Sequence, residues 1–147
     1  MDRTSFEKLH VYRLAEELAD LAWNVVLGWS NLARDTIGKQ LIRSADSVGA
    51  NLAEGLGRGS SAEKCRYGKI ARGSLFEVKH WLRRAHKRGL LSDDKVESFH
   101  ALIDELTPRL SAYIRSIEQR SSEKFQPLNT KSLSQPATHK PEAKIGN

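Results

Sequence analysis

The chain has 147 residues, with 24 Lys and Arg against 18 Asp and Glu, a net charge of +6 and a pI near 9.6. Its one cysteine, Cys65, excludes a disulfide framework and suits a reducing compartment. The first residues lack the apolar core of a signal peptide, and no apolar run reaches membrane-spanning length. The expectation is a cytoplasmic protein with one folded domain over residues 1–120, whose charge favours a polyanionic partner.

The first predicted helix runs from about Phe6 to Trp29, with a capping box at Thr4-Ser5-Phe6-Glu7. Leu14, Leu18, Leu21 and Val25 repeat at three and four, widened by Val11, Ala15, Ala22 and Val26. The second runs from about Thr36 to Gly55 with Asp35 as its N-cap. Its apolar positions are Ile37, Leu41, Ala45, Val48 and Leu52, and the glycines 55, 57 and 59 end it. The third runs from about Ser61 to Lys87 behind a capping box at Ser60-Ser61-Ala62-Glu63, and Gly89 stops it. Its stripe is Tyr67, Ala71, Ser74, Val78, Trp81 and Ala85, with Leu75 and Leu82 beside it. The fourth starts after Ser92, with Asp93 and Asp94 favouring the positive end of the helix dipole. Phe99, Leu102, Leu106, Leu110, Tyr113 and Ile117 form its stripe. Pro108 lacks an amide donor and predicts a kink, or a new helix behind Thr107.

No segment alternates with period two, so the expected class is all-α. Short connections imply an up-down-up-down antiparallel four-helix bundle. Residues 121–147 carry Pro127, Pro136 and Pro141 among polar residues and are expected to be a disordered C-terminal tail.

Two Glu-x-x-His strings, Glu77 to His80 and Glu97 to His100, test for a di-iron bundle. All ligands of such a site must project inward. At about 100° per residue, His80 lies about 200° from Val78 and Glu97 about 160° from Phe99, both outward. No metal, cofactor or catalytic residue is therefore assigned. Gly55-x-Gly57-x-Gly59 follows a helix instead of a strand, so it reads as a helix-ending turn and not a nucleotide loop. Cys65 sits near a helix start, which can lower a thiol pKa, but no histidine is spaced to activate it.

The charge distribution says more than its total. Residues 58–88 hold ten Lys and Arg against Glu63 and Glu77, whereas 1–33 and 89–120 are net acidic. Along the third helix Lys69, Arg72, Lys79, Arg83 and Lys87 point away from the apolar stripe, flanked by Arg66 and Arg84, with Phe76 among them. Such cations neutralise phosphates, and an interleaved aromatic stacks a base or packs on another subunit. Subunit packing is the expectation for Phe76. The second helix carries a polar stripe, Arg43, Ser47, Asn51 and Glu54. It reads either as a solvent face or as an inter-subunit or ligand seam.

The run Leu41-Ile42-Arg43-Ser44-Ala45-Asp46-Ser47-Val48-Gly49-Ala50-Asn51-Leu52-Ala53-Glu54-Gly55 resembles the signature of the 23S ribosomal RNA intervening-sequence protein family. Phe6-x-x-Leu9-x-Val11-Tyr12 is similar to that family's opening, and Ala71-Arg72-Gly73-Ser74-Leu75-x-Glu77 to its third-helix motif. The resemblance covers about residues 4–118. It implies an up-down four-helix bundle assembled as a ring-like homopentamer. It also implies a relation to the accessory proteins of diversity-generating retroelements, basic pentamers that hold a reverse transcriptase and nucleic acid together. The motif residues it carries over are Arg43, Ser47, Asn51, Glu54, Ser74 and Glu77. An outward-facing motif suits an oligomer interface, with Arg43 and Glu54 pairing along a subunit seam. The resulting expectation is a non-enzymatic oligomeric scaffold whose third helix contacts RNA or DNA. The rival expectation is a protein-interaction adaptor, such as an accessory subunit of a reverse transcriptase, that contacts no nucleic acid itself.

Overall fold

The computed structural model describes residues 9–125, and among these residues all regular structure is helical. The elements are α1 (His10–Val26), a short α2 (Asn31–Ala33), α3 (Lys39–Arg58), α4 (Ser61–Lys87) and α5 (Asp93–Glu123). A π-helical turn, Arg34–Gly38, joins α2 to α3, so the chain winds continuously from Asn31 to Arg58. Four long helices surround one core. The α3–α4 interface is the most extensive, and α5 packs on both α4 and α1, which in turn packs on α3.

Local chemistry sets most of the ends. Ser60 Oγ accepts from the Glu63 amide at 3.1 Å, and Ser92 Oγ from the Lys95 amide at 3.3 Å. These are the caps expected from sequence. The second helix differs at both ends. It starts at Asn31 because Ser30 caps it, accepting from the Ala33 amide, while Asp35 falls inside the π turn. It passes Gly55 and ends at Arg58, and Gly59 supplies the left-handed residue at φ 80°. Gly55 has another task. A Cβ there would lie 2.9 Å from Tyr67 Cβ, so its missing side chain lets the start of α4 close on α3.

α1 ends at Val26, three residues before the expected Trp29, and the capping box at Thr4 to Glu7 lies outside the described residues. α5 passes through Pro108 without restarting. Proline leaves the Asp104 carbonyl without its amide partner, but Asp104 and Pro108 are both exposed, so water reaches that turn. α5 continues to Glu123, beyond the expected boundary at 120; the tail expected to be disordered lies, from 126 on, outside the described residues.

The core is apolar and closely filled. Leu18, Leu41, Leu52, Leu75, Leu106 and Leu110 are fully buried, and truncating any of them to Ala costs about 2–5 kcal/mol. Ser44 is the one fully buried polar side chain among the described residues, and its hydroxyl donates to the Gln40 and Leu41 carbonyls. The stripe of α4 is rotated from the expected one. Gly68, Ala71, Leu75, Val78, Leu82 and Ala85 are buried, while Tyr67, Ser74 and Trp81 are half-buried. Leu75 and Leu82 carry more apolar surface than Ser74 and therefore take the centre. The rotation brings Ser74 to the α3 side of α4 and turns the basic residues toward α5.

Candidate nucleic-acid interface

α4 has 27 residues and is roughly 40 Å long, so it presents two long flanks beside its buried stripe. The flank against α3 is a polar seam. Arg43 donates to Glu77 across the helices and to Gln40 along α3. One turn away Ser74 Oγ donates to Ser47 Oγ at 3.0 Å, and Asn51 Nδ2 donates to the Ser47 carbonyl at 2.7 Å. The same amide reaches Ser47 Oγ at 2.9 Å. Near the Gly55 crossing, Arg58 and Arg66 lie over the Tyr67 ring at 5.1 and 5.2 Å.

Five of the six motif residues thus fall into two bonded groups within a single chain, Arg43 with Glu77 and Ser47 with Ser74 and Asn51. Glu54 stands apart, bonded to Arg58 one turn on at 3.0 Å. Within the single chain Arg43 pairs with Glu77 and Glu54 with Arg58. Sequence reasoning placed Arg43, Ser47 and Asn51 on one face of α3. It missed Gln40, whose bond to Arg43 lies one turn along α3, and Tyr67, whose role appears only when α4 is laid alongside.

The other flank carries the basic face. Lys69 pairs with Glu118 of α5 at 2.8 Å, while Arg66, beside Tyr67 toward α3, pairs with Glu63 at 3.4 Å. Lys69 holds the Glu118 carboxyl below its ordinary range, and Glu118 in turn raises Lys69. Burial, and then the hydrogen bond to Glu118, push the Cys65 thiol up. The helix start therefore does not activate this cysteine. Further along α4 the pattern changes. Among the described residues, no carboxylate lies within ion-pair distance of Arg72, Lys79, Arg83 or Lys87. Arg84 and Arg88 also have no carboxylate within ion-pair distance among the described residues. Phe76 is 59% exposed among these cations, with Lys79 Nζ 4.7 Å from its ring centre.

The two Glu-x-x-His strings do not converge. Glu77 is engaged by Arg43, while His80, Glu97 and His100 are exposed. Among the described residues, no group of three His, Cys, Asp or Glu is placed to hold a metal. No helix among them is long and apolar enough to cross a membrane.

The sequence model described as 23S rRNA-intervening sequence protein matches residues 7–112. The chain belongs to that family. The match takes in the whole seam and the whole basic face, and it leaves out the last turns of α5, where Lys69 finds its partner Glu118. The fold of this intervening-sequence family member is similar to a crystal structure from Bacteroides thetaiotaomicron, described as a protein of unknown function from the S23 ribosomal protein family. The TM-score is 0.66 at 24% identity, over 71% of this chain and 95% of that one. No curated protein matches the chain in sequence.

Proposed function

We propose that this member of the intervening-sequence family is a non-enzymatic, cytoplasmic scaffold that holds RNA or DNA by its backbone along α4. The observation that carries the reading is the row of Arg72, Lys79, Arg83 and Lys87 on one flank, with no carboxylate within ion-pair distance among the described residues. Unpaired cations in a row neutralise phosphates at no cost in broken ion pairs, and they read little sequence. Arg66 and Lys69, already paired, contribute less. Membership of the family supports a ribosomal RNA context.

The bundle is up-down-up-down and antiparallel in this reading. Residues 43, 47 and 55 of α3 meet residues 77, 74 and 67 of α4 in reverse order, which supports it. The assembly is a homopentamer, as the resemblance implies, and the exposed Phe76 suits a contact between copies.

The test is a salt titration of a short RNA and a matching DNA duplex on the full chain, with the assembly mass recorded. The slope of log K against log salt is expected to be about −0.9 for each duplex phosphate neutralised. Changing Arg72, Lys79 and Arg83 together to Glu is expected to abolish binding at unchanged mass. Absence of binding near physiological salt overturns the reading. It leaves the adaptor, in which the same face meets an acidic protein such as a reverse transcriptase.

A further inference from the structure

Beside the basic face, a groove of about 450 Å³ opens between the last turns of α4 and the first turns of α5. Leu82, Leu91 and Ile103 lie at its base, and they are among the core residues that keep some exposure, at 8, 8 and 5%. Val96 and Phe99 complete an apolar floor. Lys79, Arg83 and His86 follow one another along the α4 edge, and His100 and Asp104 stand on the α5 edge. Neither Lys79 nor Arg83 has an ion-pair partner among the described residues, and Asp104 is the one acid lining the groove.

We propose that this groove binds a small amphiphilic anion, a carboxylate on an apolar chain, with the acid at Lys79 and Arg83 and the chain over Leu82, Leu91 and Ile103. Three properties select this class. Size comes first: the volume lies in the range of small-ligand sites, whereas a docked helix needs a channel about 10–12 Å wide. The floor comes second: hydrocarbon side chains offer no partner to the edges of a nucleobase, which would lose its hydrogen bonds there. Charge comes third: two cations against one acid favour an anion over a neutral or cationic ligand. This inference stands independently of the nucleic-acid reading, although the two share Lys79 and Arg83.

The experiment is a calorimetric titration of the full chain with decanoate, below its micelle-forming concentration. Decylammonium serves as the charge control and acetate as the chain control. Saturable binding of decanoate is expected, with both controls at least about tenfold weaker, which is 1.4 kcal/mol or more. Arg83→Gln and Val96→Glu are each expected to weaken decanoate by about tenfold. Val96 is half-buried at the groove, so its variant is expected to fold, as circular dichroism would check, and to keep its nucleic-acid affinity. Amide resonance shifts on decanoate addition should fall within residues 79–104. Three outcomes overturn the proposal: no saturable decanoate binding, equal binding of decylammonium, or two folded variants that bind decanoate as the wild type does.

Discussion

Two polar surfaces flank the same helix and differ in how their groups are satisfied. On the α3 side, Arg43 bonds Glu77, and Ser47 bonds both Ser74 and Asn51, all within the same chain. On the α5 side, Arg72, Lys79, Arg83 and Lys87 have no carboxylate within ion-pair distance among the described residues. A satisfied network spends its bonding capacity on holding two helices in register. An unsatisfied row raises the local potential and keeps that capacity for a partner. A polar stripe in sequence is therefore not evidence of function until its partners are known. The seam is where the family motif clusters and the row is where charge accumulates, so the two are separable by mutation.

The strongest attack on the seam is Gly55→Leu. The new side chain meets Tyr67 and the α4 backbone near Lys64, so a loss of about 3 kcal/mol is expected in urea unfolding. Nucleic-acid affinity, measured where the protein is still folded, should not change. Next comes the hydroxyl pair. Ser47→Ala and Ser74→Ala should couple by about 1 kcal/mol in a double-mutant cycle of stability. Zero coupling would show that the bond contributes no net stability. Arg43→Gln is expected to cost under about 1 kcal/mol, since both members of the Arg43–Glu77 pair are well exposed, and to leave the salt slope of binding unchanged. A flatter slope would place Arg43 in the interface and dissolve the distinction between the flanks.

The smallest effect sharpens the other side. Glu118→Gln releases Lys69, so the salt slope should steepen by about one contact. Acid should have the same effect on the wild type. The Glu118 carboxyl is held below its ordinary range, so its ion pair is intact above that range and is lost as pH falls through the depressed value. The slopes of the wild type and the variant should converge there.

What the sequence made legible follows the range of the interactions. Ser60 and Ser92 were readable as caps because a cap bonds three residues away. Ile37, Leu41, Ala45, Val48 and Leu52 were readable as core because one apolar residue per turn admits one face. The third stripe was misjudged by part of a turn, because Ser74 and Trp81 keep the period as well as Leu75 and Leu82 do, and only packing on α5 decides between them. Gly55 and Gly59 look alike in sequence. One is empty space for Tyr67 and the other a backbone sign change, a difference that needs α4 in place. The basic face was visible, but its division was not, since Lys69 is neutralised by a residue on another helix. The groove has its own mark in the sequence: His86 lies three residues from Arg83 and seven from Lys79, on the same flank.

Only Gly59 and Ser60 separate α3 from α4. The largest interface of the bundle is therefore closed by its shortest connection, at little loop-closure entropy. The bond from His10 to Glu105, by contrast, joins residues 95 apart in sequence. During synthesis the α3–α4 hairpin can pair before α5 exists, and φ-values at Leu52 and Leu75 should exceed those at Val11 and Ile114. The seam would then serve as the template on which the remaining helices condense, and the motif would record the order of assembly within one chain.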